Sequence, residues 1–546
     1  ILMGSISHTY GKYQRPSWEG SPPGFGCQAF SKSVVAVQVR TVRPMCKPFR
    51  FSFQLFRNSC FNRLFPGFSW LSLQLPRIAR TLYPQPSYPH SALILIFFIL
   101  SLPSQPLKIS IMKQLVFTFL ICCFVQMGFS QESSLAKLDT YFETLDQHDK
   151  FMGAVCVSRA GDNLYTKSVG YASIEAKTKA NPHTVYKIGS ISKSFTAVLI
   201  FQAIDKGMLT LSTPLNKFFP TIKNAETITI DYLLSHRSGI HNFTDNDFPT
   251  WATETKTRSE LLKIIEAGGS DFTPNSKAQY SNSNYVLLSY ILEIIYNKPF
   301  AAILQTDIIA PLKLADTSFG SVKSNPVCSS YKYFDKWRIE SDTDCSVTMG
   351  AGGIVSTVND LTIFFHALFS GKLISENSLV QMKTMTEGYG KGLFRMPFGN
   401  KIGYGHSGGI DGFHSISIYF PDDEIAYSLI SNATNCLVNN LSIAVLNATY
   451  NIPFEVPTFA VVQYTSADLD NYLGVYSSEQ LPIKITITKR DKVLVGQGTG
   501  QPSFDLEASS ENTFRFDPAG IVMVFDPDKA TLVLKQGGGA FFMKKE

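Results

Sequence analysis

Three short groups of residues have the types and spacing to do chemistry. The first is Ser190-Ile191-Ser192-Lys193. A serine hydroxyl is a weak nucleophile until a neighbouring base takes its proton. If a helix begins here, residues three apart share a face, so the Lys193 amine can reach the Ser190 hydroxyl. A helix N-terminus also aims backbone N–H groups at developing negative charge. The same four residues equally describe a serine-capped helix with a solvated lysine. The second group is Tyr280-Ser281-Asn282. A phenol can act as general base where nearby cations stabilise its phenolate, and Asn282 offers a donor and an acceptor to an amide-like substrate. The third is His406-Ser407-Gly408-Gly409. With Gly405 it also fits the G-x-S-x-G nucleophile elbow, which needs a helix after the serine and acid and histidine partners well downstream. Here Asp411 and His414 are too close, no histidine follows His414, and a strand-like run starts at Ser415, so the elbow is rejected.

The elements that must hold these residues are legible in part. Residues 192–206 carry a helical apolar set, Phe195, Val198, Leu199, Phe201 and Ile204, closed by Gly207. Residues 285–296 and 361–369 read as further apolar helices. Residues 154–158 and 164–171 predict a hairpin across 160–163, and 415–420 and 425–430 predict strands joined at Pro421-Asp422-Asp423. Beyond Pro453 come short alternating runs at 483–488, 492–495, 513–516, 521–525 and 531–534, the pattern of a small antiparallel sheet or barrel. The expected organisation is a catalytic domain over 131–453, a linker over 454–469 and a small β-rich domain over 470–546.

The order S-x-x-K, Y-S-N, H-S-G is far more specific than any one group. Residues 228–239, Ile-Thr-Ile-Asp-Tyr-Leu-Leu-Ser-His-Arg-Ser-Gly, and 350–357, Gly-Ala-Gly-Gly-Ile-Val-Ser-Thr, followed by Asp360, add supporting text. On these residues the chain resembles, over roughly 135–450, the β-lactamase-related serine hydrolases: class C β-lactamases, D-alanyl-D-alanine carboxypeptidases and related esterases. The tail, with Tyr472-Leu-Gly-Val-Tyr476, is similar to the small β domains appended to such enzymes. The resemblance implies an α/β (α+β) β-lactamase/transpeptidase-like fold, an antiparallel sheet flanked by helices plus a helical domain, with the site between them. It implies Ser190 as nucleophile, Lys193 and Tyr280 sharing its deprotonation, and Asn282 on the substrate amide. His406, Ser407 and Gly408 would line the substrate's edge strand, and the N–H groups of Ser190 and Gly409 would form the oxyanion hole. Many such β-lactamases have lysine where His406 stands. A histidine is largely neutral above about pH 6.5, which weighs against a true β-lactamase and favours peptidase or esterase activity. A D-alanyl-D-alanine carboxypeptidase-like activity is the favoured expectation, with a true β-lactamase or esterase as the alternative. A non-catalytic penicillin-binding or sensing protein is the alternative from a different class.

Charge and leader bound the rest. Residues 1–111 hold 12 Lys/Arg and the single acid Glu19, whereas the remainder holds 37 basic and 42 acidic residues. The basic excess therefore belongs to the leading segment, and nucleic acid is not an expected partner of the folded body. The apolar run 92–100 is too short for a bilayer, which takes about 20 residues. Met112-Lys113, an apolar core over 115–125 and small residues before Gln131 read as a signal peptide over 112–130. Residues 1–111 then read as upstream sequence translated in error or as a disordered leader. The mature chain is expected to be exported, periplasmic or secreted, with no stable membrane span. Its partner would be a small-molecule or peptide substrate, including cell-wall peptide. Cys156, Cys328, Cys345 and Cys436 remain in it; Cys328 and Cys345 could close a modest loop, although four cysteines allow three pairings. No metal, nucleotide or flavin motif is present, so no cofactor is expected.

Overall fold

Continuous apolar runs, rather than alternating ones, mark strands covered on both faces, and the centre of the sheet is built from two of them. The computed structural model describes residues 134–546 apart from 246, 323–325, 335, 460–461 and 537–538. The expected leader of 1–111 and the expected signal peptide of 112–130 lie outside the described residues. Six strands form an antiparallel sheet: β1 (Phe151–Arg159), β2 (Asp162–Val169), β3 (Phe394–Phe398), β4 (Lys401–Ile410), β5 (Phe413–Phe420) and β6 (Ile425–Thr434), in the order β3-β4-β5-β6-β1-β2. The central β1 and β6 are buried along nearly their whole length. Val155, Val157 and Leu429 face a core shared with α1 (Ser134–Gln147), while Ala154, Cys156 and Ile430 face the opposite core.

That opposite core holds the helices that carry the site. They are α2 (Ser192–Asp205), α3 (Asn282–Tyr296), α4 (Cys345–Gly352) and α5 (Val358–Phe369); α6 (Val438–Thr449) returns to pack beside α1. A helix buried all round must find partners for every polar group it carries. In α2, Ser192 through Phe201 are all buried. Ser192 Oγ accepts the Ile354 N–H at 3.1 Å, Ser194 Oγ donates to Gly392 O at 2.7 Å, and Thr196 Oγ1 donates to Gly350 O at 2.8 Å. A methyl on Gly350 would sit 2.6 Å from Thr196 Oγ1 and 2.9 Å from Ser289 Cβ, so the missing side chain lets α4 lie between α2 and α3. Helices α3 and α5 start about three residues earlier than their apolar periodicity suggests. Asn282, Ser283 and Asn284 open α3, and Asn359 and Asp360 fall in the first turn of α5, which begins at a Thr357 cap that accepts the Asp360 N–H.

The tail forms a closed eight-stranded antiparallel barrel, β7 (Gly474–Ser477), β8 (Ile485–Arg490), β9 (Val493–Gly498), β10 (Ser503–Ser510), β11 (Thr513–Phe516), β12 (Ile521–Asp526), β13 (Thr531–Gln536) and β14 (Gly539–Lys545). Closure of β14 on β7 removes the exposed edges of an open sheet. Sequence reading misses β7, β10 and β14, although in β10 Phe504, Leu506 and Ala508 alternate with Asp505 and Glu507 and pack on the barrel core. Phe454, Val456 and Phe459, in the stretch assigned to a linker, pack on the α1 core. The buried Lys150 meets barrel carboxylates, Glu507 at 2.7 Å and Asp517 at 3.3 Å. The four cysteines of the described residues are free thiols, so Cys328 and Cys345 do not pair; Cys328 is buried beside Val185 and Cys345 starts α4. Among the described residues, no single helix is long and apolar enough to cross a membrane.

Candidate active site

Ser190 sits in a 3-10 turn, Gly189–Ile191, that leads into α2 rather than within the first turn of α2 itself. The turn is pressed backbone to backbone against β4. Gly189 has φ +51°, and a Cβ on it would lie 2.9 Å from Gly409 N. A Cβ on Gly408 would lie 2.1 Å from Ile188 O and 3.0 Å from Ser190 N. Ser415 Oγ on the neighbouring strand donates to Ile188 O at 2.8 Å. These contacts explain the glycine requirement on both sides and bring the N–H groups proposed for an oxyanion hole onto abutting segments.

Two polar side chains converge on Ser190 Oγ. Lys193 Nζ lies 3.0 Å away and Tyr280 Oη 2.8 Å away. Lys193 is fully buried, and burial pushes its pKa well below 10.5. A neutral amine has two protons and one lone pair. Asn282 Oδ1 at 2.8 Å and Ala351 O at 2.7 Å accept the two protons. As an ammonium Nζ donates to Ser190 Oγ; in the neutral form favoured by burial its lone pair is left for the Ser190 hydroxyl proton, the arrangement a general base needs. Burial raises the Tyr280 phenol pKa, offset in part by the Ser190 hydrogen bond. The resting phenol is therefore protonated and donates to Ser190 Oγ.

Asn282, the first residue of α3, is tied on three sides. Besides Lys193, its Nδ2 donates to Thr244 Oγ1 at 2.9 Å, and its N–H donates to Asn242 Oδ1 at 2.8 Å. One Nδ2 proton remains for a substrate carbonyl, so its first role here is to orient Lys193. His406 on β4 is buried, with Nδ1–H donating to Ser407 O at 2.5 Å and its ring 4.7 Å from Phe394. Burial, then the neighbouring Lys193, pushes its pKa down to about 3. It is a neutral imidazole across the working pH range and supplies no positive charge. Strand β3 begins opposite Gly405, so among the described strands residues 406–410 have β5 on one side only. A Cβ on the exposed Gly409 would meet nothing within 4 Å. Ser407, Gly408 and Gly409 thus border an open strand edge beside Ser190, where an extended substrate could pair with backbone groups.

Every sequence-predicted site residue therefore lies in one cluster. Sequence reading assigned no role to the Ala351 carbonyl or to His236, although both fall in the supporting segments 350–357 and 228–239. A backbone acceptor has no residue-type signal, and His236 reaches Tyr280 through tertiary contact alone. Among the described residues no cluster of His, Cys, Asp or Glu could hold a metal ion.

Comparison with known proteins gives the family and the fold. The family model described as Beta-lactamase matches residues 138–444. The chain is 26% identical over 412 residues to penicillin-binding protein 4* of Bacillus subtilis (strain 168), spanning 69% of this chain and 90% of that protein. It is 27% identical over 309 residues to teichoic acid D-alanine hydrolase of Staphylococcus aureus (strain MRSA252), spanning 54% and 72%. Among solved structures, D-amino acid amidase from Ochrobactrum anthropi SV3 is similar with TM-score 0.52 and 26% identity, covering 57% of this chain and 98% of that one. The octameric penicillin-binding protein homologue from Pyrococcus abyssi shares the fold, with TM-score 0.55 and 22% identity over 75% of this chain and 99% of that one.

Proposed function

The chain belongs to the Beta-lactamase family and is a serine hydrolase, and we propose that it uses Ser190 to form an acyl-enzyme and to hydrolyse D-alanyl esters or D-amino-acid amides. The observation that carries this reading is Ser190 Oγ held between the Lys193 amine at 3.0 Å and the Tyr280 phenol at 2.8 Å. Neutral Lys193 takes the Ser190 proton as Oγ attacks the substrate carbonyl. The N–H groups of Ser190 and Gly409 receive the oxyanion, and a donor of this kind is worth about 3–4 kcal/mol in the transition state. Collapse breaks the ester or amide bond. The Tyr280 phenol protonates the departing oxygen or nitrogen and is refilled from the Lys193 ammonium. Water then attacks the acyl-enzyme, its proton passes to the same pair, and Ser190 leaves with a proton restored.

The lining electrostatics separate the substrate classes. A carboxypeptidase or a penicillin-directed enzyme has a substrate carboxylate to hold, and the neutral His406 cannot hold it as a cation. Lys187, Arg237 and Lys391, on the segments that build the site, are each engaged by a carboxylate: Asp411 at 2.8 Å, Glu387 at 2.7 Å and Asp231 at 3.1 Å. This favours a substrate without a carboxylate beside the scissile bond over the D-alanyl-D-alanine peptide. Similarity to a teichoic acid D-alanine hydrolase and to a D-amino acid amidase supports the same class. An export signal would place the enzyme among cell-envelope substrates.

The test is intact mass over time for residues 131–546 with a D-alanyl ester, a D-alanyl-D-alanine peptide and a penicillin, beside Ser190→Ala. Ester turnover with slow or absent peptide cleavage, lost in Ser190→Ala, is the expected result. Peptide cleavage faster than ester cleavage would return the assignment to a carboxypeptidase, and rapid penicillin loss without a lasting adduct would return it to a β-lactamase. Activity that survives Ser190→Ala would overturn the mechanism.

A further inference from the structure

Tyr280 lies on a loop, and its hydroxyl must stay within hydrogen-bond reach of Ser190 for the chemistry above. A loop residue is not held by helix or sheet ladders, so something else must fix it. The contacts around it converge on one side chain. His236 O accepts the N–H of Gln279, the residue before Tyr280, at 2.9 Å. His236 Nδ1 accepts the N–H of Ser281, the residue after it, at 3.2 Å. Between these two bonds the imidazole stacks on the Tyr280 ring, with centroids 4.5 Å apart and planes 29° from parallel.

From this three-point grip we infer that His236 is a positioning residue for Tyr280, aiming the phenol at Ser190 Oγ; the inference rests on the acyl-transfer reading of the site. The grip is itself anchored. The imidazole is buried, with Tyr285 and Tyr389 each 5.3 Å away on its other sides, and Tyr285 Oη donates to Leu234 O at 2.8 Å. Because Nδ1 accepts a backbone N–H, the ring must be neutral with its proton on Nε2. Burial, then Lys193 and His406, holds the His236 pKa well below 6.5, which agrees with that tautomer. The backbone at His236 has φ +57°, a left-handed conformation rare for a residue other than glycine or asparagine. That conformation is what lets one residue offer both its carbonyl and its ring to the same loop. Arg237, next in the chain, binds Asn275 and Glu387, and Glu387 accepts the Ala278 N–H at 2.7 Å, so the loop is braced upstream as well.

The experiment is a double-mutant cycle in residues 131–546 with a D-alanyl ester, combining His236→Ala with Tyr280→Phe, plus His236→Asn. Asparagine tolerates the left-handed backbone and can present an amide oxygen to the Ser281 N–H. Misplacing a reacting group by about 1 Å can cost about 100-fold. The expected result is that His236→Ala lowers kcat by roughly 10- to 100-fold, with KM nearly unchanged. In the Tyr280→Phe background the same change is expected to have almost no effect, and His236→Asn to recover much of the loss. Equal losses in both backgrounds would overturn the inference and leave His236 a residue that merely maintains the fold. A second readout needs no turnover: 3-fluorotyrosine placed at position 280 is expected to shift and broaden its fluorine resonance in His236→Ala and to sharpen it again in His236→Asn. An unchanged resonance would also overturn the inference. If the parent protein turns over no ester and forms no Ser190 adduct, the acyl-transfer reading fails by itself, while the fluorine signal still decides whether His236 places Tyr280.

Discussion

Replacing Asn282 with aspartate changes a single group where the proposed base is most sensitive. Asn282 Oδ1 accepts a proton from Lys193 Nζ at 2.8 Å. Aspartate puts a carboxylate there at almost no change in shape, and the Thr244 hydroxyl can turn to donate to it where it now accepts from Nδ2. An opposite charge this close favours the ammonium form and raises a lysine pKa by about 1–3 units. In the parent, burial alone pushes the Lys193 pKa well below 10.5, toward the neutral amine. The sign follows from the neutral form being the active one: a higher pKa moves the acid limb of the rate profile to higher pH. Each unit is a factor of ten, 1.36 kcal/mol. At pH 7, kcat/KM of Asn282→Asp should therefore fall by about 10- to 1,000-fold. Above the new pKa it should recover most of its height. The assay is a pH–rate profile of both proteins with an uncharged D-alanyl ester, with thermal melting to confirm that the variant is folded. A uniform drop in rate with the acid limb unmoved would refute Lys193 as the base.

Other outcomes follow from single contacts. Gly408→Ala would force a methyl to 2.1 Å from Ile188 O, so stability should fall by about 1–3 kcal/mol and ester turnover by about 100-fold, read by melting and steady-state kinetics. His406→Lys restores a cation beside the open strand edge. A hydrogen bond to a charged group is worth about 1.5–3 kcal/mol, so acylation by a penicillin should rise roughly 10- to 100-fold relative to an uncharged ester. Lys150→Met removes the buried ammonium that meets Glu507 and Asp517. Stability should drop by about 1.5–3 kcal/mol, with faster proteolysis in the stretch 451–467. Burial lowers the Lys150 pKa, but Glu507 and Asp517 outweigh it and the net shift is upward. The contribution is therefore full below about pH 10.5 and fades only as the pH rises through the raised value.

The sequence by itself determined which residues are candidates for the chemistry. Ser190 and Lys193 three apart, Tyr280 two before Asn282, and His406 before two glycines need only residue type, short spacing and order to be recognised. Apolar periodicity likewise located α2, the β1–β2 hairpin and the β-rich character of the tail, because such patterns report on one helix face or one strand at a time. Tertiary structure alone decided how those residues work. Tyr280 is 90 residues from Ser190, and Ala351 is 158 from Lys193. The protonation tendencies come from burial of the assembled site: burial lowers the Lys193 pKa, pushes that of His406 down to about 3, and keeps the proton on the Tyr280 phenol. Desolvation belongs to the packed environment and leaves no trace in local sequence. The same holds for the His236 grip on Tyr280, and for barrel closure, which pairs Tyr476 of β7 with Lys545 of β14 at the far end of the tail.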